Sequence, residues 1–253
     1  MANHFTDIGF PVTKPDEFVE LAITFSKMGK VHHADKGLYI IYEDESGFVL
    51  SVQSDHSHQL IGLNPHFKGQ SVFRLRVSNT YPADNHSLDG SVKAWALPEE
   101  NQELPGAYPM LFEMPDFALM SDKLISNPEV YVQLVGFAHQ VTCYASEKDF
   151  YDDQPPGAKR AVESFIPSGL LMIDEHITEE TAEAVFSGWI KTCKMKINPF
   201  TGQAYWHLCI STYGGEIDVV ADPDLVQGVP KTGGVVNGLF WLSGRVLMEI
   251  NQN

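Results

Sequence analysis

Residues 184–253 carry the clearest pattern in the sequence, a series of long β-prone runs separated by short turns. The first run ends at an Asn-Pro turn that closes on Gly202, where a positive φ is needed. Glycines inside the first and last runs, Gly188 and Gly244, are typical of bulges where a strand bends. The pattern predicts an antiparallel barrel of four strands, at residues 184–197, 204–213, 216–221 and 234–249.

This strand arrangement resembles an OB-fold, a five-stranded, partly open barrel that binds ligands on one face. The resemblance implies a ligand site on that face, where lysines beside aromatic rings are typical of oligonucleotide binding. The candidate ligand-binding residues are Lys194, Lys196, Tyr205 and His207. Two alternatives stay open, because a barrel core also needs aromatic rings and because the four strands can complete a sheet that begins upstream.

The first 97 residues predict a β-α-β-β-β layer in which one helix lies on an antiparallel sheet. Thr13 and Pro15 are helix start signals, and apolar residues from Phe18 to Met28 follow helical spacing. The strands are expected at residues 8–12, 38–42, 48–52 and 71–78, with a further strand at residues 60–67 that runs into an Asn-Pro turn. This order also resembles half of a vicinal-oxygen-chelate module, but such a site needs a second copy with matched metal ligands, which the sequence does not show.

Residues 98–183 predict an irregular middle region, because its prolines interrupt long regular elements. The exception is a β-prone run at residues 130–144, which we expect to be a central strand. Together with the OB-like barrel at residues 184–253, this predicts an α+β protein that is mainly β and has three segments. Two alternatives stay open for the terminal segments: they are separate units, or they share one core.

The chain has a formal net charge of −16, and the negative charge is unevenly distributed. Residues 1–183 hold 12 lysines and arginines against 28 acidic residues, whereas residues 184–253 hold five of each. A field of this sign repels nucleic-acid phosphates and anionic membranes and attracts basic proteins. We therefore expect a basic protein partner and neither membrane nor nucleic-acid binding. An acidic surface that serves only solubility is the simpler alternative.

The cysteine content favours a reducing compartment. Three cysteines, without a CxxC pair, argue against a disulfide framework. The N-terminal residues lack the basic and apolar regions of a signal peptide, and no apolar run reaches membrane-spanning length. The expected location is the cytoplasm.

The best metal-binding candidate is the pair His56 and His58, with His66 close behind in the sequence. On a strand, an H-x-H pair points both imidazoles to one face, which suits Zn²⁺ or another divalent metal. The neighbouring serines and Asp55 favour a loop instead, and no HExxH motif accompanies the pair. Exposed loop histidines are therefore the simpler interpretation, and no cofactor is predicted.

No nucleophile elbow and no phosphate-binding glycine loop stands out in the sequence. The leading hypothesis is a non-catalytic cytoplasmic protein of antitoxin or immunity type that holds a basic protein partner. Two alternatives stay open. One is a metal-dependent enzyme that uses His56, His58 and His66. The other is a binder of small ligands or oligonucleotides through the face of the C-terminal barrel.

Overall fold

The computed structural model describes residues 4–83, 87–98, 105–126, 129–171 and 179–247. Within these ranges the chain forms fourteen β-strands in two sheets and four α-helices, so the α+β, mainly β class is confirmed. The helices are α1 (Pro15–Ser26), α2 (Phe117–Ser126), α3 (Glu147–Asp152) and α4 (Ser168–Leu171), and 3-10 turns cover Thr6–Ile8 and Pro223–Leu225.

The smaller sheet has four antiparallel strands in the order β1-β2-β3-β4. They are β1 (Lys30–Ala34), β2 (Gly37–Glu43), β3 (Phe48–Ser54) and β4 (Leu60–Phe67). The predicted helix is confirmed as α1, whose buried Ala22 and Phe25 pack against this sheet. The strands expected at residues 38–42, 48–52 and 60–67 are confirmed as β2, β3 and β4. Strand β1 carries no sequence signal, because its side chains are mostly exposed and do not alternate.

The predicted N-terminal layer is wrong in two respects, one missing strand and one strand that lies in the other sheet. Residues 8–12 form no strand, because the 3-10 turn before them leads into Gly9 at a φ of 79°. The carbonyls of Ile8 and Gly9 instead accept hydrogen bonds from the side chains of Asn198 and Thr201. The strand expected at residues 71–78 exists, but it belongs to the larger sheet.

The larger sheet closes on itself as a ring of eight strands, in the order β11-β12-β8-β5-β6-β7-β14-β10 and back to β11. Strands β8 and β14 also pair with each other along their length, so two smaller rings share this pair. The strands are β5 (Phe73–Pro82), β6 (Gly90–Ala96), β7 (Tyr108–Glu113), β8 (Glu129–Tyr144), β9 (Ser164–Ile166), β10 (Glu183–Ile197), β11 (Ala204–Thr212), β12 (Gly215–Ala221), β13 (Val226–Gln227) and β14 (Val235–Leu247).

The four strands predicted in the C-terminal segment are confirmed as β10, β11, β12 and β14. They close into a ring only through β8, which pairs with both β12 and β14. The central strand expected at residues 130–144 is confirmed as β8. Strand pairing therefore crosses the predicted segment boundary at residue 183. It also crosses the boundary at residue 97, because β6 pairs with β7.

Two apolar cores hold the molecule together. One fills the ring, where the rings of Phe186 and Phe240 stack with centroids 4.0 Å apart. The other lies between the four-stranded sheet and the outside of the ring, and includes Phe10, Phe48 and Tyr205. Burying this much aromatic surface from both sheets stabilises their contact. The functional candidates lie along this junction.

Candidate functional site

A cavity of about 860 Å³ opens between the N-terminal segment, β4, β7 and β14. Its apolar wall is formed by Phe5, Phe18, Leu63, Leu111 and Trp241. Three carboxylates, those of Glu113, Glu180 and Glu183, also line it, and no lysine or arginine is among the described lining residues. Lys93 lies 2.5 Å from the Glu180 carboxylate and pairs with it, so Glu113 and Glu183 dominate the field inside.

Glu113, the last residue of β7, is the central carboxylate of this cavity. In the strand register it lies between Ser91 of β6 and Ser243 of β14. The residue sits deep in the fold but is exposed to the space of the cavity. Burial raises its pKa, and the nearby Asp89 carboxylate adds to this, while a hydrogen bond from Trp241 acts in the opposite direction. A cation bound here would offset the unfavourable charge.

Two imidazole rings, those of His4 and His139, lie on one side of this carboxylate. The His4 ring stacks on Trp241 with centroids 4.4 Å apart and meets the His139 ring edge-on at 5.1 Å. Burial lowers the pKa of His4 to about 4, so this imidazole is neutral at neutral pH. His4 Nδ1 is 3.8 Å from Asp7 Oδ2, and His139 Nε2 is 3.6 Å from Glu183 Oε1. The two imidazoles therefore add no positive charge to the cavity at neutral pH.

A crevice of about 10 Å³ continues inward from the cavity. The polar side chains that line it belong to Asn64, Asp89, Glu113, Trp241 and Ser243. The cavity and the crevice share Asn64, Glu113 and Trp241, so the two spaces are neighbours. Asp89 Oδ1 accepts hydrogen bonds from Gln53 and Asn64, which fixes its carboxylate at the inner end.

Behind the crevice runs a buried chain of polar side chains, which we call the relay: Ser243, His66, Gln133, Asp218 and His207. Ser243 Oγ is 2.9 Å from His66 Nδ1, and His66 Nε2 is 2.9 Å from Gln133 Oε1. Gln133 Nε2 donates to Asp218 Oδ2 at 3.0 Å, and Asp218 Oδ1 is 2.8 Å from His207 Nε2. The relay joins β4 to four strands of the ring, β8, β11, β12 and β14.

The relay fixes the proton positions of its members. Gln133 presents its amide nitrogen to Asp218, so its oxygen faces His66 and His66 Nε2 must carry the proton. Burial lowers the pKa of His66 to about 3, so the ring is neutral and Nδ1 is bare. Ser243 therefore donates its hydroxyl proton to His66 Nδ1. So weak a base is poorly suited to activate a serine nucleophile. The relay is therefore a structural hydrogen-bond network.

The structure does not bring the three predicted metal-binding histidines together. His56 lies in the loop after β3, with Nε2 2.9 Å from the carbonyl oxygen of Asp35, and His58 occupies a turn at a φ of 65°. His66 is buried near the far end of β4, about 20 Å along the strand from that loop. Among the described residues, no three His, Cys, Asp or Glu side chains form a group that could hold a metal ion.

The four candidate ligand-binding residues share one face of β10 and β11, because Lys194 pairs with His207 and Lys196 with Tyr205. That face packs largely against β4. Phe67 lies 6.3 Å from the ring of Tyr205 and 4.4 Å from that of His207. Lys196 donates to the carbonyl of Ser46, while Lys194 is exposed. Most of the predicted ligand face is therefore covered by the four-stranded sheet.

The sequence patterns do not identify the residues that line this cavity. Trp241 is expected in a barrel core, but it forms a wall of the cavity. Glu180 has the appearance of a solvated acid, and His4 and Glu113 belong to no motif. These residues come from four separate parts of the chain, and only strand pairing brings them together. No local signal in the sequence identifies them.

Comparison with known proteins gives no match: no protein-family model, no curated protein and no solved structure is similar to this chain. In the part of the chain that the structure describes, no helix is both long enough and apolar enough to cross a lipid bilayer.

Proposed function

We propose that the protein is a non-catalytic cytoplasmic binding protein, of antitoxin or immunity type, that holds a basic protein partner. The cavity receives a cationic side chain of that partner. One observation carries the proposal: the cavity combines an apolar wall with three carboxylates, and its described lining contains no lysine or arginine. Such a lining matches a side chain with an apolar stem and a positive end.

The charge of the whole chain supports the same function. A net charge of −16 steers a basic partner towards the protein and speeds the encounter at low ionic strength. Steering alone does not select a binding site. The carboxylates of Glu113 and Glu183, at the junction of the two sheets, supply a local site for the positive group.

The test is calorimetric titration with an acetylated peptide rich in lysine and arginine. We expect saturable binding that weakens as salt is raised, because the contact is between charges. Glu113→Gln should weaken binding about tenfold or more, since it removes a charge facing the cation at low local dielectric. Glu20→Gln, which changes the same charge on the exposed face of α1, is the matched control and should change the affinity less than about twofold.

Two results would contradict the proposal. One is an absence of binding at low salt. The other is an equal loss in Glu113→Gln and Glu20→Gln, because that result would indicate a diffuse surface contact rather than a cavity.

We also propose an OB-like unit, made of β8, β10, β11, β12 and β14. What supports it is the closure of these five strands into one ring, the strand number of an OB-fold. Ligand binding at Lys194 and Lys196 has less support, because β4 covers much of that face. A metal-dependent reaction at His56, His58 and His66 has less support still, because the three side chains lie apart.

A further inference from the structure

We propose that the crevice selects a primary ammonium group, so that the partner side chain it takes is lysine rather than arginine or methylated lysine. This inference rests on the proposed function and narrows its ligand to one chemical class. Hydrogen-bond directions, the size of the crevice and the apolar approach to it each support the choice.

Each side-chain donor atom around the crevice already makes one hydrogen bond within the protein. The Ser243 hydroxyl donates to His66 Nδ1, as the relay requires. Asn64 Nδ2 donates to Asp89 Oδ1, and the indole of Trp241 donates to Glu113. The remaining capacity of Ser243 is therefore its oxygen lone pairs, and it can act towards a ligand only as an acceptor.

The charged groups at the crevice are acceptors as well. Glu113 stands at its entrance and Asp89 at its inner end, and these two carboxylates interact closely enough for Asp89 to raise the pKa of Glu113. A ligand group that fits this set must carry N–H donors and a positive charge. A quaternary ammonium has the charge but no N–H, so it cannot donate a hydrogen bond to Ser243 or to either carboxylate.

The size of the crevice separates ammonium from guanidinium. Its volume of about 10 Å³ admits one group of the size of a water molecule. A primary ammonium is a compact point charge with three donors, whereas a guanidinium is a planar fork with five. The fork is too broad for the crevice and would have to remain in the outer cavity, away from Ser243.

The wall of the outer cavity suits the stem of a lysine. Phe5, Leu63 and Leu111 line the approach and offer apolar contact to a four-carbon chain. Removing an ammonium from water is costly, and this cost is offset only when opposite charges and hydrogen bonds meet it. Where the stem ends, the carboxylates of Glu113 and Asp89 supply the opposite charge. They and the Ser243 oxygen also accept the hydrogen bonds.

The test compares butylammonium, butylguanidinium and butyltrimethylammonium, which share one stem and one charge. Each is titrated against the full chain, with the dissociation constant followed by NMR chemical shifts. We expect butylammonium to bind at least about tenfold more tightly than either of the others, a difference of roughly 1.4 kcal/mol. Ser243→Ala should reduce this preference, whereas Ser91→Ala, a serine that lines the outer cavity only, should keep it.

Ser243→Ala also removes the donor to the buried His66, so a folding defect has to be separated from a binding defect. Asp89→Asn serves as a second variant, because it keeps the shape of the side chain while removing the negative charge at the inner end. It should lower the affinity for butylammonium more than the affinity for butylguanidinium.

Equal affinities for the three probes would overturn the lysine preference. If the basic peptide still binds through Glu113, the proposed function stands without it. If the basic peptide does not bind, both the lysine preference and the proposed function are contradicted.

Discussion

At the scale of single residues, the carboxyl of Asp7 is buried and only partly hydrogen-bonded. Its Oδ1 accepts a hydrogen bond from the backbone N–H of Asp222 at 2.9 Å. Its Oδ2 has no hydrogen-bond partner among the described residues. Burial raises its pKa well above the ordinary value, because the charged form is poorly solvated there. At pH values between the unfolded and the folded pKa, the folded protein therefore retains a proton that the unfolded chain releases.

We predict that Asp7→Asn stabilises the protein at neutral pH by about 1–2 kcal/mol, since the amide never has to ionise in the interior. In the unmodified protein, the folded pKa of Asp7 lies above the unfolded one. Its contribution to stability is therefore greatest at low pH and is lost as pH rises through the folded pKa. The variant should lose this part of the pH dependence.

Urea unfolding between about pH 4 and pH 8 measures the effect. Asp16→Asn, on the exposed first turn of α1, is the matched control and should leave the slope with pH unchanged. A variant less stable than the parent protein at neutral pH would show that the Asp7 carboxylate is needed in its charged form.

At the scale of elements, the link between β4 and β5 is what attaches the four-stranded sheet to the ring. Ser71 in this link donates its N–H to Asp218 Oδ2 and its hydroxyl to the carbonyl of Leu134. Asp218 is fully buried and is also a member of the relay. Gly69 allows the close approach, because a Cβ at this position would lie 1.8 Å from Asp218 Oδ2. The carboxylate of Asp218 thus holds this link against the ring.

We predict that Gly69→Ala destabilises the protein by about 1–3 kcal/mol, because the added methyl must displace Asp218 from its hydrogen bonds. Gln70→Ala, an exposed position in the same link, should cost less than about 0.5 kcal/mol. Thermal unfolding of both variants measures the difference. Equal melting temperatures for Gly69→Ala and the parent protein would mean that the link moves freely and does not fix Asp218.

Local sequence patterns predict many of these elements but not the way they pair. Helix α1 and strands β2, β3, β10, β11, β12 and β14 follow from local signals, namely apolar spacing, a helix start and turn glycines. Strand β1 is missed because an exposed strand has no alternating pattern. The ring is not predictable in the same way, because its closure depends on pairings between strands far apart in the sequence, such as β8 with β12 and β7 with β14. The cavity depends on that closure and is missed with it.

At the scale of the whole molecule, the negative charge and the cavity together suggest a dependence of binding on pH. Glu113 can attract a cation only when it is ionised, and burial raises its pKa. As pH falls through this raised pKa, the carboxyl takes up a proton and its attraction for the cation is lost. Binding of a cation in turn lowers the pKa of Glu113, so the two events are linked.

We predict that the affinity for the basic peptide falls as pH is lowered from about 7 to about 5, while the fold stays intact by circular dichroism. Glu113→Gln should bind more weakly at neutral pH and should lose most of this dependence, because the amide does not titrate. Calorimetric titration at a series of pH values provides the measurement. A pH dependence that is the same in both proteins would assign it to other carboxyl groups.

The indole N–H signal of Trp241 reports most directly on whether a cation enters the cavity, because this group donates to Glu113. The signal can be assigned by comparing the NMR spectra of the protein and of Trp241→Phe. We predict that butylammonium shifts it in a saturable way and that Glu113→Gln abolishes the shift at the same concentrations. An indole signal that does not move while the ligand binds would contradict the assignment of this cavity as the cation site.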